Sequence, residues 1–269
     1  MFYPITPFET KYLDQLERLP PENWQSNAYD LFMHNDWQPW FRSYQVLDKS
    51  KLIGFGLIFH FEEVAWLGWI LVDKKYRNHG IGTFITEHLI NESKKLGATK
   101  IVLTATDLGV PIYEKLGFKT TSWYRFLSMP SGFKPKFDKN KIRTAKESDI
   151  EAITQLDFLA TGEKRVLLLK NHLDSTFVFQ QHSIQGFYIE NLGTGLIVAS
   201  NHEAGFELAN FRLKKKKSKV IIPDGNTAFL NELISQGFTE TGKVPRMTLG
   251  KEPGWNPEMI YNRAAGYCG

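Results

Sequence analysis

The stretch Val72-Asp-Lys-Lys-Tyr-Arg77-Asn-His-Gly80-Ile-Gly82-Thr83 combines a basic side chain with two closely spaced glycines, a set suited to holding a diphosphate. Glycines let the backbone approach a ligand with no Cβ in the way. The free amides in the first turn of a following helix would point at the anion, and the helix dipole adds a favourable field. The chemistry read from this loop is pyrophosphate binding.

Spacing narrows which pyrophosphate. A Walker loop needs Gly, four residues, Gly, then Lys and Ser or Thr, and the chain has no such string. The dinucleotide fingerprint needs Gly-x-Gly-x-x-Gly, yet position 85 is Ile; Gly193-Thr-Gly195 fails in the same way, with Val198 at the third position. Arg77-Asn-His-Gly80-Ile-Gly82 does match Arg/Gln-x-x-Gly-x-Gly/Ala. That is the coenzyme A loop of the GNAT superfamily of N-acetyltransferases, which this region resembles. Further on, Tyr113-Glu-Lys-Leu-Gly117-Phe118 is similar to the second signature of the same superfamily.

The elements around these motifs have the required order. Val64 to Val72 reads as a strand and Gly80 to Leu96 as a helix. Ile81, Phe84, Ile85 and Leu89 fall on one helical face, with Glu87, Asn91 and Lys94 opposite. Gly97 reads as the helix stop, and Lys100 to Leu103 as the next strand. A break rich in Pro, Gly and Lys spans about 131–140. After it Ile142-Arg-Thr begins a strand-then-helix pattern, with Ser148 and Asp149 as helix caps. Ile221-Ile-Pro-Asp-Gly-Asn and Phe229 to Phe238 echo Leu103-Thr-Ala-Thr and Tyr113 to Phe118. The chain therefore reads as a tandem repeat, with domains at 1–130 and 141–269. The second copy lacks the Gly-rich loop, and Leu233 stands where the first has Tyr113. Leu156 to Arg165, Pro245 to Gly250 and Ile260 to Gly266 resemble the degenerate C-terminal domain of bacterial two-domain GNAT proteins.

What the resemblance implies is an α/β fold of two tandem GNAT-like domains, each a mixed, mostly antiparallel twisted sheet flanked by helices. In the family the strand before the loop splays from its neighbour and pairs with the pantetheine arm, a role that falls to Ile70, Leu71 and Val72. Arg77, Asn78, His79, Gly80, Ile81, Gly82 and Thr83 would cradle the pyrophosphate of acetyl-CoA. One backbone N–H at this edge can face the developing oxyanion. Tyr113, a phenol protonated at neutral pH, would donate to the leaving sulfur; the competing reading is an aromatic packing residue.

No general base is assigned. Many family members place a carboxylate where Trp66 stands; Glu62, Glu63 and His60 lie nearby in sequence. Trp37, Trp40, Trp66 and Trp69 are read as core first and acceptor-pocket walls second, and Pro20 to Phe41 as the acceptor segment. His79 is read as structural or solvent-facing, and Cys268 as an exposed thiol, not a nucleophile. The seven histidines and one cysteine show no metal-ligand spacing.

Composition sets the frame. A length of 269 residues suits two domains, and 20 Phe, 10 Tyr and 7 Trp supply packed cores. One cysteine suits a reducing compartment, and the N-terminus lacks a secretory pattern. A cytoplasmic location is the expectation. The net charge of +4 is mild, and Lys214 to Lys217 reads as a solvated helix end with no stacking aromatics for nucleic acid. No run approaches the ~20 apolar residues that cross a bilayer. The expected activity is transfer of an acetyl group from acetyl-CoA to the primary amine of a small-molecule or peptide acceptor by direct attack on the thioester. The second domain would shape the acceptor site or a homodimer. The alternative is a non-catalytic acyl-CoA binding or sensing protein.

Overall fold

Long apolar runs become strands covered on both faces, and shorter amphipathic runs become the helices that cover them. The structure, a computed structural model, describes residues 3–21, 27–215 and 217–268. It divides into two units, Met1–Lys119 with Thr248–Lys251 and Thr120–Met247 with Glu252–Gly269.

Unit 1 contains β1 (Ile5–Pro7), α1 (Leu13–Leu16), α2 (Ala28–Asn35), β2 (Phe41–Asp48), β3 (Lys51–Phe61), β4 (Val64–Val72), α3 (Ile81–Lys95), β5 (Lys100–Thr104) and α4 (Val110–Lys115). The strands lie in the order β1-β2-β3-β4-β5, antiparallel up to β4, while β4 and β5 run parallel. Because β4 and β5 are parallel, a crossover must join them, and α3 is that crossover. Ile81, Ile85 and Leu89 are buried and Glu87, Asn91 and Lys94 exposed, as the helical period requires. The helix sits close to β3 because two glycines leave room. A Cβ on Gly54 would come within 2.7 Å of Ile85, and one on Gly56 within 2.8 Å of Ile85 and Leu89.

Unit 2 contains β6 (Lys119–Ser128), β7 (Ile142–Thr144), α5 (Ile150–Thr161), α6 (Val166–Asn171), β8 (Thr176–Gln180), β9 (Ile184–Ile189), β10 (Leu196–Ala199), α7 (His202–Lys214), β11 (Lys219–Pro223), α8 (Thr227–Ser235), β12 (Thr239–Gly250) and β13 (Ile260–Asn262). Thr248 to Gly250, the end of β12, belongs to unit 1, where β12 is the neighbour of β5. Gly250 has φ of +88° and approaches so closely that a Cβ would meet the Thr99 carbonyl at 2.2 Å. Unit 2 carries the order β13-β10-β9-β8-β7, and β6 lies between β12 and β11. β13 pairs antiparallel with β10, and the Arg263 amide just beyond it donates to Ile221 O on β11 at 2.8 Å. The terminal strand is thus inserted between β10 and β11.

Three sequence expectations change. The Asp149 side chain makes no cap bond to α5; it turns back to accept from the Lys146 amide at 2.7 Å and from Arg143 Nη1 and Nη2 at 2.6 and 2.9 Å, a charge-assisted pair that holds it there. Cys268 is not exposed but fully buried, and burial pushes its thiol up to about 12. The lysine run is only partly a solvated end: Lys215 pairs with Glu190 at 2.6 Å and lies 4.1 Å from the Phe177 ring centre. Lys216 lies outside the described residues.

Candidate active site

The register between β4 and β5 covers only Val64 to Trp66 opposite Lys100 to Val102. Beyond Trp66 the two strands part, and Leu67 to Val72 have no ladder partner on that side among the described residues, though β4 stays paired to β3. The cause is local. Leu57 faces Gly68 but Phe55 faces Leu71, so β4 carries one extra residue, and Trp69 takes a left-handed φ of +48°. Such a bulge bends a strand and redirects its edge. Ile70 and Val72 are half-buried and Leu71 is buried, so backbone groups as well as side chains line the opening.

The chain then turns into α3. Asp73 accepts from the Lys75 amide at 2.8 Å and pairs with Lys51 at 2.8 Å, while the Tyr76 hydroxyl donates to Asp48 at 2.7 Å. These contacts tie the loop to the β2–β3 hairpin. Arg77 Nε donates to Val72 O at 3.2 Å, and His79 Nδ1 lies 2.7 Å from Arg77 O. Asn78 and Gly80 both have left-handed φ, +64° and +79°. Gly80 is the N-cap of α3 and offers no side-chain cap, and the first recorded helical bond is Phe84 N to Gly80 O. The amides of Ile81, Gly82 and Thr83 are therefore left to an external acceptor. A Cβ on Gly80 would meet nothing within 4 Å, and one on Gly82 would only touch Ile112 and Val72 at 3.6 and 3.7 Å. Protein packing therefore does not demand a glycine at 82. A cavity of about 510 Å³ adjoins the loop, lined by Tyr3, Val46, Lys75, Tyr76, His79 and Phe84 among others.

Tyr113 sits on α4, and its neighbour on that helix, Ile112, packs beside Gly82. The ring is 9% exposed and packs edge-on to Phe118, centres 5.9 Å apart. Gly109 makes the placement possible: a Cβ there would lie 2.6 Å from Tyr113 Cε2 and 3.2 Å from the hydroxyl. Burial pushes the phenol up to about 12, so it keeps its proton at neutral pH.

The structure brings Ile70 to Val72, Arg77 to Thr83 and the Tyr113 helix together at one end of the unit 1 sheet. It does not bring Glu62 and Glu63 there. They form the turn between β3 and β4, and six residues of strand put them about 20 Å from the bulge. Trp66 and Trp40 are core, 1% and 5% exposed. Trp69 is half-buried at the bulge, and Trp37 is 94% exposed, which overturns its core reading. Of the acceptor segment, 22–26 lie outside the described residues. Nothing in the sequence signals the positive φ at Trp69, and the close approach of the Tyr113 ring to Gly109 is hinted at only by the Gly-x-x-x-Tyr spacing. No group of three or more His, Cys, Asp or Glu among the described residues could hold a metal.

Residues 10–118 match the model of the acetyltransferase (GNAT) family. The chain is 28% identical over 227 residues to the "Uncharacterized N-acetyltransferase YitH" of Bacillus subtilis (strain 168), covering 79% of each. A crystal structure of a putative acetyltransferase from Pyrococcus horikoshii superposes with a TM-score of 0.85 at 19% identity, over 99% of this chain and 96% of that one. A tandem GNAT protein from the clavulanic acid biosynthesis pathway, solved without AcCoA, gives 0.64 at 12% identity, over 93% and 98%. At these identities the two structures speak to the fold alone, a mixed α/β architecture of helix-flanked sheets.

Proposed function

We propose that this protein is a GNAT-type N-acetyltransferase that moves an acetyl group from acetyl-CoA to a primary amine of a small-molecule or peptide acceptor. The observation that carries the reading is the parted β4–β5 pair, whose free edge runs into an uncapped helix N-terminus. The residues fit the donor. Ile70, Leu71 and Val72 lie on the β4 edge that β5 leaves without a ladder partner, open to an amide-bearing arm, and Arg77 with the amides of Ile81 to Thr83 suits a diphosphate. Bound acetyl-CoA would supply the acetyl group as a thioester.

The remaining roles belong to the chain. A fixed backbone N–H on the β4 edge stabilises charge developing on the carbonyl oxygen, with little reorganisation. Tyr113 gives its proton to the departing sulfur, so overall the C–N bond forms, the C–S bond breaks and one proton passes from nitrogen to sulfur. No side chain is assigned as the base for the amine.

Unit 2 is read as a second copy of the fold that has lost the donor site. Its antiparallel strands β7 to β10, helix α7, strand β11 and helix α8 repeat the unit 1 series. Where unit 1 is open, β13 fills the gap between β10 and β11, and the Asn201 side chain caps the Ala204 amide of α7 at 2.9 Å. One donor site per chain follows.

Calorimetric titration with acetyl-CoA, followed by an amine-acceptor screen, tests the reading. Micromolar binding at one site per chain, abolished in Gly82→Trp, supports it. Wild-type protein that does not bind would end it, and binding with no transfer to any amine would leave a non-catalytic acyl-CoA protein.

A further inference from the structure

Unit 2 buries three arginines around Tyr124, which is itself fully buried. Two have carboxylate partners. Arg165 donates to Asp157 from Nε and Nη2 at 2.7 and 2.8 Å and lies 3.5 Å from Glu163. Arg246 pairs with Glu252, donates to Thr121 Oγ1 at 3.0 Å and lies over the Trp255 ring. Arg263, 8% exposed, has no carboxylate partner among the described residues. Its backbone is held by β11, and its guanidinium carbon stands 4.7 Å from the Tyr124 ring centre and 5.5 Å from that of Phe126. Arg263 Nε and Nη1 and the Tyr124 hydroxyl are buried without a hydrogen-bond partner.

Arg212 shows how the same unit satisfies a buried arginine without carboxylates. It donates twice to Thr194 O, at 3.0 and 2.8 Å, and once to Lys219 O at 2.8 Å. Arg263 lacks even these carbonyls. The ring faces supply a quadrupole attraction but accept no hydrogen bond along the guanidinium plane. The orphaned atoms of Arg263 are all donors, so what is missing is an acceptor. Because a buried charge needs compensation, the acceptor should be negative, which water is not.

We propose that unit 2 binds a small oxyanion, of carboxylate or phosphate type, against the Arg263 guanidinium and the Tyr124 hydroxyl. The anion arrives either as a free solute or as a group on a larger molecule. This site does not depend on the acetyl-transfer reading.

The test is thermal unfolding of the full chain titrated with acetate, inorganic phosphate or glycerol 3-phosphate, against chloride at equal ionic strength. Phosphate strengthens most folds by exclusion from their surface, so the decisive comparison is with variants. A saturable rise of several degrees is expected in wild type. Arg263→Met should abolish it, and Tyr124→Phe should raise the apparent Kd about tenfold. Tighter binding of glycerol 3-phosphate than of phosphate would identify a group on a larger molecule, and equal binding a free ion. If Arg263→Met does not fold, Tyr124→Phe and a crystal grown in phosphate decide. Density for an anion at Arg263 supports the site. Water alone at its Nε and Nη1, or an equal rise in a folded variant, overturns it.

Discussion

Tyr113 and Gly109 act as a pair. The ring occupies the space that a Cβ at 109 would need, so the glycine sets where the hydroxyl lies. Tyr113→Phe should lower kcat by about 100-fold, the lower end of what general acid catalysis contributes, with acetyl-CoA affinity unchanged. Gly109→Ala should reproduce part of that loss by displacing the ring, again without weakening the donor, which separate kcat measurement and calorimetry would reveal. Equal turnover in Tyr113→Phe would return the residue to a packing role. The place of Tyr113 on a short helix before Gly117-Phe118 was legible because that spacing is a local pattern. Arg263 and Cys268 were not, because whether a charge or thiol is buried depends on strands brought together from distant parts of the chain.

The position of α3 is set by β3 as much as by its own apolar face. A Cβ at Gly54 or Gly56 would come within 3.0 Å of Ile85, and at Gly56 also of Leu89, so a larger residue at either position cannot sit beneath the helix at this separation. Gly56→Val should therefore overpack the interface and destabilise the protein by about 1–3 kcal/mol. It should also weaken acetyl-CoA binding by tilting the helix that presents Ile81 to Thr83; urea unfolding and calorimetry measure the two effects. The bounds of β4 and α3 were readable because a continuous apolar run, a helical period and flanking glycines agree with one another. The bulge at Trp69 was invisible, since a tryptophan at positive φ has no local signature. β13 escaped notice for another reason: a strand of three residues carries no period, and its place is set by partners on β10 and β11.

Over the whole molecule, buried acids govern alkaline behaviour. Burial pushes Cys268 from 9.0 to about 12, and Tyr113 and Tyr261 from 10.0 to about 12. The unfolded chain releases these protons from about pH 9 upward while the folded chain holds them to about 12, so unfolding releases protons and stability falls as pH rises between those limits. The urea midpoint should be level near pH 8 and drop steadily by pH 10.5, and Cys268→Ala should flatten the first part of that decline. No helix among the described residues is long and apolar enough to cross a membrane. The return of Thr248–Lys251 to unit 1 has a consequence for biosynthesis. On the ribosome, β5 emerges early but waits for its neighbour until nearly all of unit 2 has been made, on the order of ten seconds at common rates of synthesis. During that wait an apolar strand edge is bare and open to wrong pairing. A gene fragment ending at Lys119 would make that condition permanent, so unit 1 is a unit of structure that translation cannot deliver as a unit.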